Sequence, residues 1–159
     1  MPEGRRLFPK LTVEENLLLG AFRPTARAEL TRNLAFCYET FERLKERRHQ
    51  LAGSMSGGEQ QIRAIARAVW SKPKRLLLDE PSLGLGPKMT EFVFEMVVRL
   101  RDEGLTVLLV EQKARQALKI AGRAYLMETG RILASGLARN LIVDQVLAKA
   151  FLGGGTTKT

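Results

Sequence analysis

The chain has 159 residues and a formal net charge of +9 at pH 7; 45% of its residues are hydrophobic and 27% are charged. This is the composition of a soluble globular domain, and no apolar stretch approaches the roughly 20 residues that span a bilayer. The basic N-terminus is not followed by a signal-peptide core, so we expect a cytoplasmic protein. A single cysteine excludes an internal disulfide.

Positive charge is densest in a short segment where basic and acidic residues alternate. Its members are Glu42, Arg43, Lys45, Glu46, Arg47 and Arg48. Such spacing is typical of a solvated, ion-paired helix face. Aromatic residues, on which nucleic-acid bases would stack, make up only 6% of the chain. We therefore expect no nucleic-acid partner; attraction to anionic lipid head groups is a milder use of the same charge.

The N-terminal part of the chain is predicted to be helical. Thr12, with Glu15 three residues later, forms a capping-box pattern that opens a helix running towards Phe22. Apolar residues at helical spacing then predict one longer helix after Pro24, which runs through Leu30 to about Arg48.

Ser56-Gly57-Gly58 forms a turn at the start of the next predicted helix, whose apolar positions 62, 65, 66 and 69 mark one face. Glycines let the backbone approach an anion, and a helix N-terminus offers amides and a favourable dipole to a phosphate. An ordinary serine N-cap with flexible glycines is the alternative interpretation.

The apolar strand Leu76-Leu77-Leu78 ends in Asp79-Glu80-Pro81. Ligands lie at the carboxyl ends of strands in open α/β folds. One carboxylate can hold Mg²⁺ through its water shell, and the next can orient and deprotonate water that attacks a γ-phosphate. We assign the metal role to Asp79 and the base role to Glu80. Acids that are merely solvated are the alternative, which the turn 23 positions upstream of Asp79 disfavours.

A strand, a helix and a second strand are predicted around this site. Pro87 suits a first helical turn, and an apolar stripe continues to Leu100 before Gly104. Thr106–Val110 is β-branched and apolar throughout, which predicts a strand covered on both faces. These lengths predict a right-handed βαβ unit and therefore a parallel strand pair.

The C-terminal part is predicted to contain a short helix over 114–120 and a hairpin of strands 123–128 and 131–135 around Thr129-Gly130. Two short helices, near Arg139 and over 144–151, complete the predicted fold. Residues 153–159 have the composition of a disordered tail.

Two side chains that suggest chemistry have simpler interpretations. Cys37 is interpreted as a small buried helix residue rather than a reactive thiol. Trp70 could stack on adenine, but its place at the end of a helix favours packing against the sheet.

The motifs resemble those of a known family. Ser56-Gly57-Gly58-Glu59-Gln60 resembles the signature of the ATP-binding-cassette (ABC) ATPases, and Leu76–Pro81 resembles their Walker B strand. In that family the signature of one subunit contacts the γ-phosphate held by the phosphate loop of the opposite subunit. The resemblance therefore implies that Ser56, Gly57, Gly58, Glu59 and Gln60 bind ATP in trans.

Further segments are similar to one branch, the LivF type of ATP-binding subunit in branched-chain amino-acid importers. They are residues 2–9, 11–17, 82–87, 110–112 and 151–154. Glu3 stands at the position of the Gln-loop glutamine, which implies a place near nucleotide and Mg²⁺. Gln112 stands at the position of the switch histidine, and it can form hydrogen bonds but cannot carry a proton as imidazole does.

The resemblance implies an α/β fold with a helical signature subdomain and the C-terminal part of the RecA-like parallel-sheet core of a P-loop NTPase. Residues 1–152 would form a partial ABC domain, divided into 1–57 and 58–152. Implied partners are membrane-spanning permease subunits, a second ABC ATPase subunit and, indirectly, an external binding protein. The implied location is the inner face of the cell membrane.

A phosphate loop ending in Gly-Lys-Ser/Thr is missing from these 159 residues. We therefore expect an N-terminally truncated ATPase that does not turn over ATP by itself. One alternative is a non-catalytic module that docks on a membrane subunit or an intact ATPase and offers its signature in trans. Another is a cassette ATPase acting on nucleic acid, which the lack of a tandem second cassette and of a long basic linker disfavours.

Overall fold

The computed structural model describes residues 8–22, 24–71 and 73–143. They fall into two compact units, one ending at Val110 and the other beginning at Glu111. Glu3, the predicted helix over 144–151 and the predicted tail over 153–159 lie outside the described residues. The predicted division at residue 57 stays a prediction.

The first unit combines six helices and a parallel strand pair in its described part. Its elements are α1 (Val13–Leu18), α2 (Pro24–Arg27), α3 (Leu30–Thr40), α4 (Glu42–Glu46), α5 (Gly57–Trp70), β1 (Arg75–Asp79), α6 (Pro87–Asp102) and β2 (Thr106–Val110). Short 3₁₀ turns, Leu19–Phe22 and Ala52–Ser54, connect some of them.

The predicted N-terminal capping box is confirmed. The Thr12 hydroxyl accepts a hydrogen bond from the Glu15 amide at 3.2 Å, and the Glu15 carboxylate accepts one from the Thr12 amide at 2.7 Å. α1 begins directly after Thr12, and Val13 and Leu17 are fully buried against the rest of the unit.

The single helix predicted from after Pro24 to about Arg48 is wrong, because this range contains α2, α3 and α4. α3 ends at Thr40 and α4 begins at Glu42, because Phe41 has φ −130° and ψ 66°. The break leaves the Phe41 and Leu44 side chains each only 2% exposed. Burial of these two side chains outweighs the local preference for a continuous helix.

α5 is the central helix of this unit, and Ile65 and Ala66 in its middle are fully buried. α1 and the following 3₁₀ turn pack against it. The contact is closest at Gly20, where an added Cβ would overlap the Arg67 carbonyl oxygen. A glycine is therefore needed for this approach of two backbones.

β1 and β2 pair in parallel, as predicted, with Leu76 opposite Val107 and Leu78 opposite Leu109. The expectation that β2 is covered on both faces is wrong for the described structure. Leu76 and Leu78 are buried, whereas Leu77 is 55% and Leu108 56% exposed. The helices of this unit cover only one face of the pair, so the other face of the apolar strands stays exposed.

The second unit contains α7 (Ala114–Ile120), β3 (Arg123–Glu128), β4 (Arg131–Leu137) and α8 (Ala138–Val143) in its described part. β3 and β4 form the predicted antiparallel hairpin, with a register shift between Leu126 and Met127. Thr129 and Gly130 at the turn have φ of 46° and 77°, the left-handed values of a tight hairpin turn. The short helices predicted over 114–120 and near Arg139 are confirmed.

The packing interpretations of Cys37 and Trp70 are supported by their burial. Cys37 is fully buried, and burial raises the pKa of its thiol to about 12, which disfavours the reactive thiolate. Trp70 is 1% exposed at the end of α5. Among the described helices, none has the length and apolar character to cross a membrane.

Candidate functional site

Ser56 is the N-cap of α5, so the predicted start of the signature helix is confirmed. The Ser56 hydroxyl donates to the Glu59 carboxylate at 2.8 Å and accepts from the Glu59 amide at 3.4 Å. The Glu59 carboxylate also accepts from the Ser56 amide at 3.0 Å. This reciprocal capping box fixes the turn in a helix-starting geometry. The first-turn amides of the helix have no intrahelical carbonyl partner and point towards the same end.

The negative charge of Glu59 is compensated from outside the turn. Arg47 Nη1 lies 2.8 Å from Glu59 Oε1. Burial by itself raises the pKa of Glu59, but hydrogen bonds from Ser56 and attraction to Arg47 and Arg43 lower it below its ordinary value. Glu59 therefore remains a carboxylate with a cation beside it. The sequence predicts a solvated face for the basic segment, and the structure adds an ion pair from Arg47 of this segment to Glu59 in the turn.

The residue before the serine is held by two side chains of α5. Gln60 Nε2 donates to the Met55 carbonyl at 3.0 Å, and Arg63 Nη1 lies 2.9 Å from the Met55 sulfur. Arg63 Nη2 also donates to the Ala52 carbonyl at 2.9 Å. Met55 is 5% exposed, so the segment entering the turn is packed as well as hydrogen-bonded.

Arg63 supports the segment that enters the turn, and this contact is not predicted from the sequence. Its side chain is fully buried, whereas a charged residue that follows an apolar position of a helix is usually exposed. Burial lowers the pKa of its guanidinium to about 10. An arginine in a polar-rich helix is ordinarily interpreted as exposed, so no local signal identifies this one as a support for the turn.

Gly58 connects the turn to the segment that follows the acidic pair. A Cβ built on Gly58 would lie 2.9 Å from Met89 Cε, in the first turn of α6. The glycine therefore allows close packing of the two helix N-termini. α6 begins seven positions after Glu80, so the signature turn and the chain leaving β1 belong to one packed region of the first unit.

The two carboxylates stand at the carboxyl end of β1, as predicted. Asp79 is the last residue of the strand and is exposed, whereas Glu80 is half-buried. Glu80 has φ 42°, a left-handed value that is costly for a residue with a Cβ. Its amide donates to the Val110 carbonyl at 2.9 Å, and its carbonyl accepts from the Leu83 amide at 3.1 Å. Strain of this kind is concentrated at functional sites in proteins.

Asp79 offers the type of ligand that Mg²⁺ prefers. Its carboxylate is exposed at the strand end, and Mg²⁺ in proteins commonly combines one or two carboxylates with retained waters. The donor chemistry of this strand end therefore fits a hydrated Mg²⁺ held with a nucleotide.

The other two predicted site residues, Gln112 and Glu3, are not part of the described first unit. Gln112 lies two residues after β2, in the second unit, and its carbonyl accepts from the Ala114 amide at 2.7 Å. Glu3 lies outside the described residues. Within the first unit the structure thus brings together the signature turn and the chain that follows Asp79 and Glu80.

Comparison with known proteins identifies similar sequences over nearly the whole chain. The chain is 53% identical over 154 residues to the high-affinity branched-chain amino acid transport ATP-binding protein BraG of Pseudomonas aeruginosa, covering 97% of the chain and 66% of BraG. It is 37% identical over 154 residues to the probable branched-chain amino acid transport ATP-binding protein LivF of Archaeoglobus fulgidus, covering 96% of the chain and 65% of LivF. The chain thus spans just under two thirds of the length of these relatives.

A solved structure and a family model agree with this similarity. The structure of MJ1267, an ATP-binding cassette of an ABC transporter, matches with a TM-score of 0.74 and 26% identity, over 96% of this chain and 66% of that one. The family model for the ABC transporter matches residues 1–83, which is more than half of the chain. The helical signature region and parallel strand pair are thus parts of a cassette fold, and the chain belongs to the ATP-binding domains of the ABC transporter family.

Proposed function

We propose that this chain forms part of an ATP-binding subunit that energises branched-chain amino-acid uptake across the cytoplasmic membrane. The observation that carries the proposal is the packing of a capped Ser56 turn beside the chain that leaves a Walker B strand at Glu80. The 53% identity to BraG supports the substrate class.

In the proposed site the Ser56 turn contacts the γ-phosphate of ATP that is bound to the opposite subunit. The amides of Gly57 and Gly58 at the start of α5 and the helix dipole favour an anion at this point. The Ser56 hydroxyl would exchange its hydrogen bond to Glu59 for one to the phosphate. Arg47 offsets the charge of Glu59, which would otherwise repel the phosphate. Arg63 and Gln60 hold the entry to the turn.

Glu80 is the proposed base for the attacking water. Hydrogen bonds of its amide and its carbonyl hold the backbone of Glu80 at the strand end. Asp79 would hold Mg²⁺ through water, and the ion would supply charge neutralisation on the β- and γ-phosphate oxygens. Gln112 would orient groups at the γ-phosphate by hydrogen bonding, without taking up a proton. Glu3 is the proposed contact at the Gln-loop position.

The proposed partners are membrane-spanning permease subunits and a second ABC ATPase subunit. An external binding protein would act through the permease. These partners would hold the chain at the inner face of the cell membrane. The names of BraG and LivF support transport of branched-chain amino acids.

Glu80 can be tested in a chimera that joins the part of BraG before the aligned region to this chain. We expect the chimera to hydrolyse ATP and Glu80→Gln to lower the rate by about 10² to 10⁴-fold while ATP still binds. Glu95→Gln, an exposed change in the middle of α6, is the matched control and should leave the rate unchanged. Full hydrolysis by the Glu80→Gln chimera would refute the base role.

The signature role can be tested by complementation in trans. The partner is an intact BraG in which the residue aligned with Ser56 is replaced by arginine, and the 159-residue chain supplies Ser56. We expect the chain to have no ATP turnover by itself and to restore hydrolysis on the partner's nucleotide. Ser56→Asn and Ser56→Asp both keep an N-cap, but only the aspartate places a negative charge against the phosphate. Equal complementation by both variants would contradict the phosphate contact.

A further inference from the structure

A cavity of about 410 Å³ lies at the C-terminal end of α5, opposite the Ser56 turn. Its walls come from α3, the end of α5, the segment before β1 and the end of α6. α5 has 14 residues, so its two ends are separated by about 20 Å. The cavity is therefore distinct from the proposed nucleotide site.

The inner wall of the cavity is apolar. Val69, Trp70 and Leu100 line it and are at most 5% exposed, and the half-buried Leu105 completes this wall. Its volume falls in the usual range for small-molecule sites, which combine apolar walls with a few polar groups. An aliphatic group of a few carbon atoms could be buried here.

The charged residues at the cavity favour an anion. Arg32 and Lys74 line it, and neither takes part in the ion pairs found among the described residues. The lining acid, Glu103, accepts a hydrogen bond from Arg99 at 3.4 Å, so an arginine offsets its charge. Two cations thus remain beside the apolar wall.

The wall also contains a buried donor for which the described structure provides no acceptor. Trp70 Nε1 is buried and has no hydrogen-bond partner in the described part of the chain. Buried indole N–H groups normally donate to an acceptor. This nitrogen has almost no accessible surface, so it lies behind the cavity wall, and a bound anion would reach it only if the ring shifted.

We propose that this cavity binds a small aliphatic carboxylate. Its hydrocarbon part packs against Val69, Leu100 and Leu105, and its carboxylate lies near Arg32 and Lys74. This second site, at the far end of the signature helix, goes beyond the proposed ATPase role and does not depend on it.

The only tryptophan of the chain lies in the cavity wall, so its fluorescence reports binding directly. The probe is 4-methylpentanoate, and the uncharged 4-methylpentanamide of the same shape is its control. We expect a saturable change in Trp70 emission with the acid, with a dissociation constant of about 1 mM or below, and at least tenfold weaker binding of the amide. Saturation-transfer NMR on the ligand methyl groups provides a second readout.

Variants assign the response to this cavity. Arg32→Gln combined with Lys74→Gln should weaken binding of the acid by about tenfold, because both cations are removed. Arg131→Gln, an exposed change in the second unit, should leave it unchanged. Leu105→Phe narrows the cavity at its half-buried wall, so it should weaken binding of the acid in both readouts. Equal binding of acid and amide, or no saturable signal in either readout, would overturn the proposal.

Discussion

The amide of Glu80 donates a 2.9 Å hydrogen bond to the carbonyl of Val110, one position beyond the last residue pair of β1 and β2. The strand pairing therefore extends to Glu80, and the chain then turns with φ 42° at this residue. The pairing holds the backbone of Glu80 in a left-handed conformation at the position of the proposed base.

We predict that Glu80→Gly is more stable than Glu80→Ala by about 0.5 to 1 kcal/mol, because glycine accepts positive φ and alanine does not. The order should invert at Glu95 inside α6, where Glu95→Gly should be less stable than Glu95→Ala by about 1 kcal/mol. Urea unfolding of the four variants measures both differences. An Ala variant at position 80 that matched or exceeded the Gly variant would argue against strain.

Gly20 is predicted to be intolerant of any side chain. Gly20→Ala should lower the free energy of unfolding by more than about 2 kcal/mol, because its Cβ would overlap the Arg67 backbone and force the 3₁₀ turn away from α5. Gly122→Ala is the matched control, since a Cβ built there meets nothing within 4 Å. Thermal or urea unfolding should show a loss only for the first variant, and equal midpoints for both would contradict the close packing.

Glu59 is predicted to make stability depend on acid pH. Because its pKa is lower in the folded chain than the ordinary 4.5, its contribution is present above pH 4.5 and is lost as the pH falls through the folded value. Glu59→Gln should therefore be less stable at neutral pH and show a flatter decline below pH 4.5. Urea midpoints between about pH 3 and 7 measure this, with Glu95→Gln as the control that retains the original slope.

Arg63 is predicted to stabilise the entry to the signature turn. Arg63→Ala should cost about 3 kcal/mol, because it leaves a cavity and removes the buried donor to the Ala52 carbonyl. Arg63→Met fills most of the volume without a buried charge and should cost only about 1 kcal/mol. The exposed Arg99→Ala should change stability by less than about 0.5 kcal/mol. Similar losses for Ala and Met at position 63 would show that packing is unimportant there.

The local features of the fold were predictable because short-range rules decide them. The Thr12 and Ser56 caps follow from serine or threonine with glutamate three residues later. The parallel strands and the hairpin around Thr129-Gly130 follow from apolar runs and turn chemistry. The pairing of a Ser-Gly-Gly turn with an Asp-Glu strand end likewise identified the family.

Long-range packing was decided only in the tertiary structure. The break at Phe41 arises because two side chains gain burial, and the Arg47 to Glu59 ion pair joins segments whose approach no local pattern encodes. The burial of Arg63 and the left-handed Glu80 depend on neighbours contributed by other elements. Sequence by itself therefore determined which chemical groups this protein carries, where the helices capped by Thr12 and Ser56 begin, and where the strands lie. The support of the signature turn, the compensation of the Glu59 charge and the strain at Glu80 come from contacts between residues that are distant in sequence. These contacts contribute free energy only when the chain is folded.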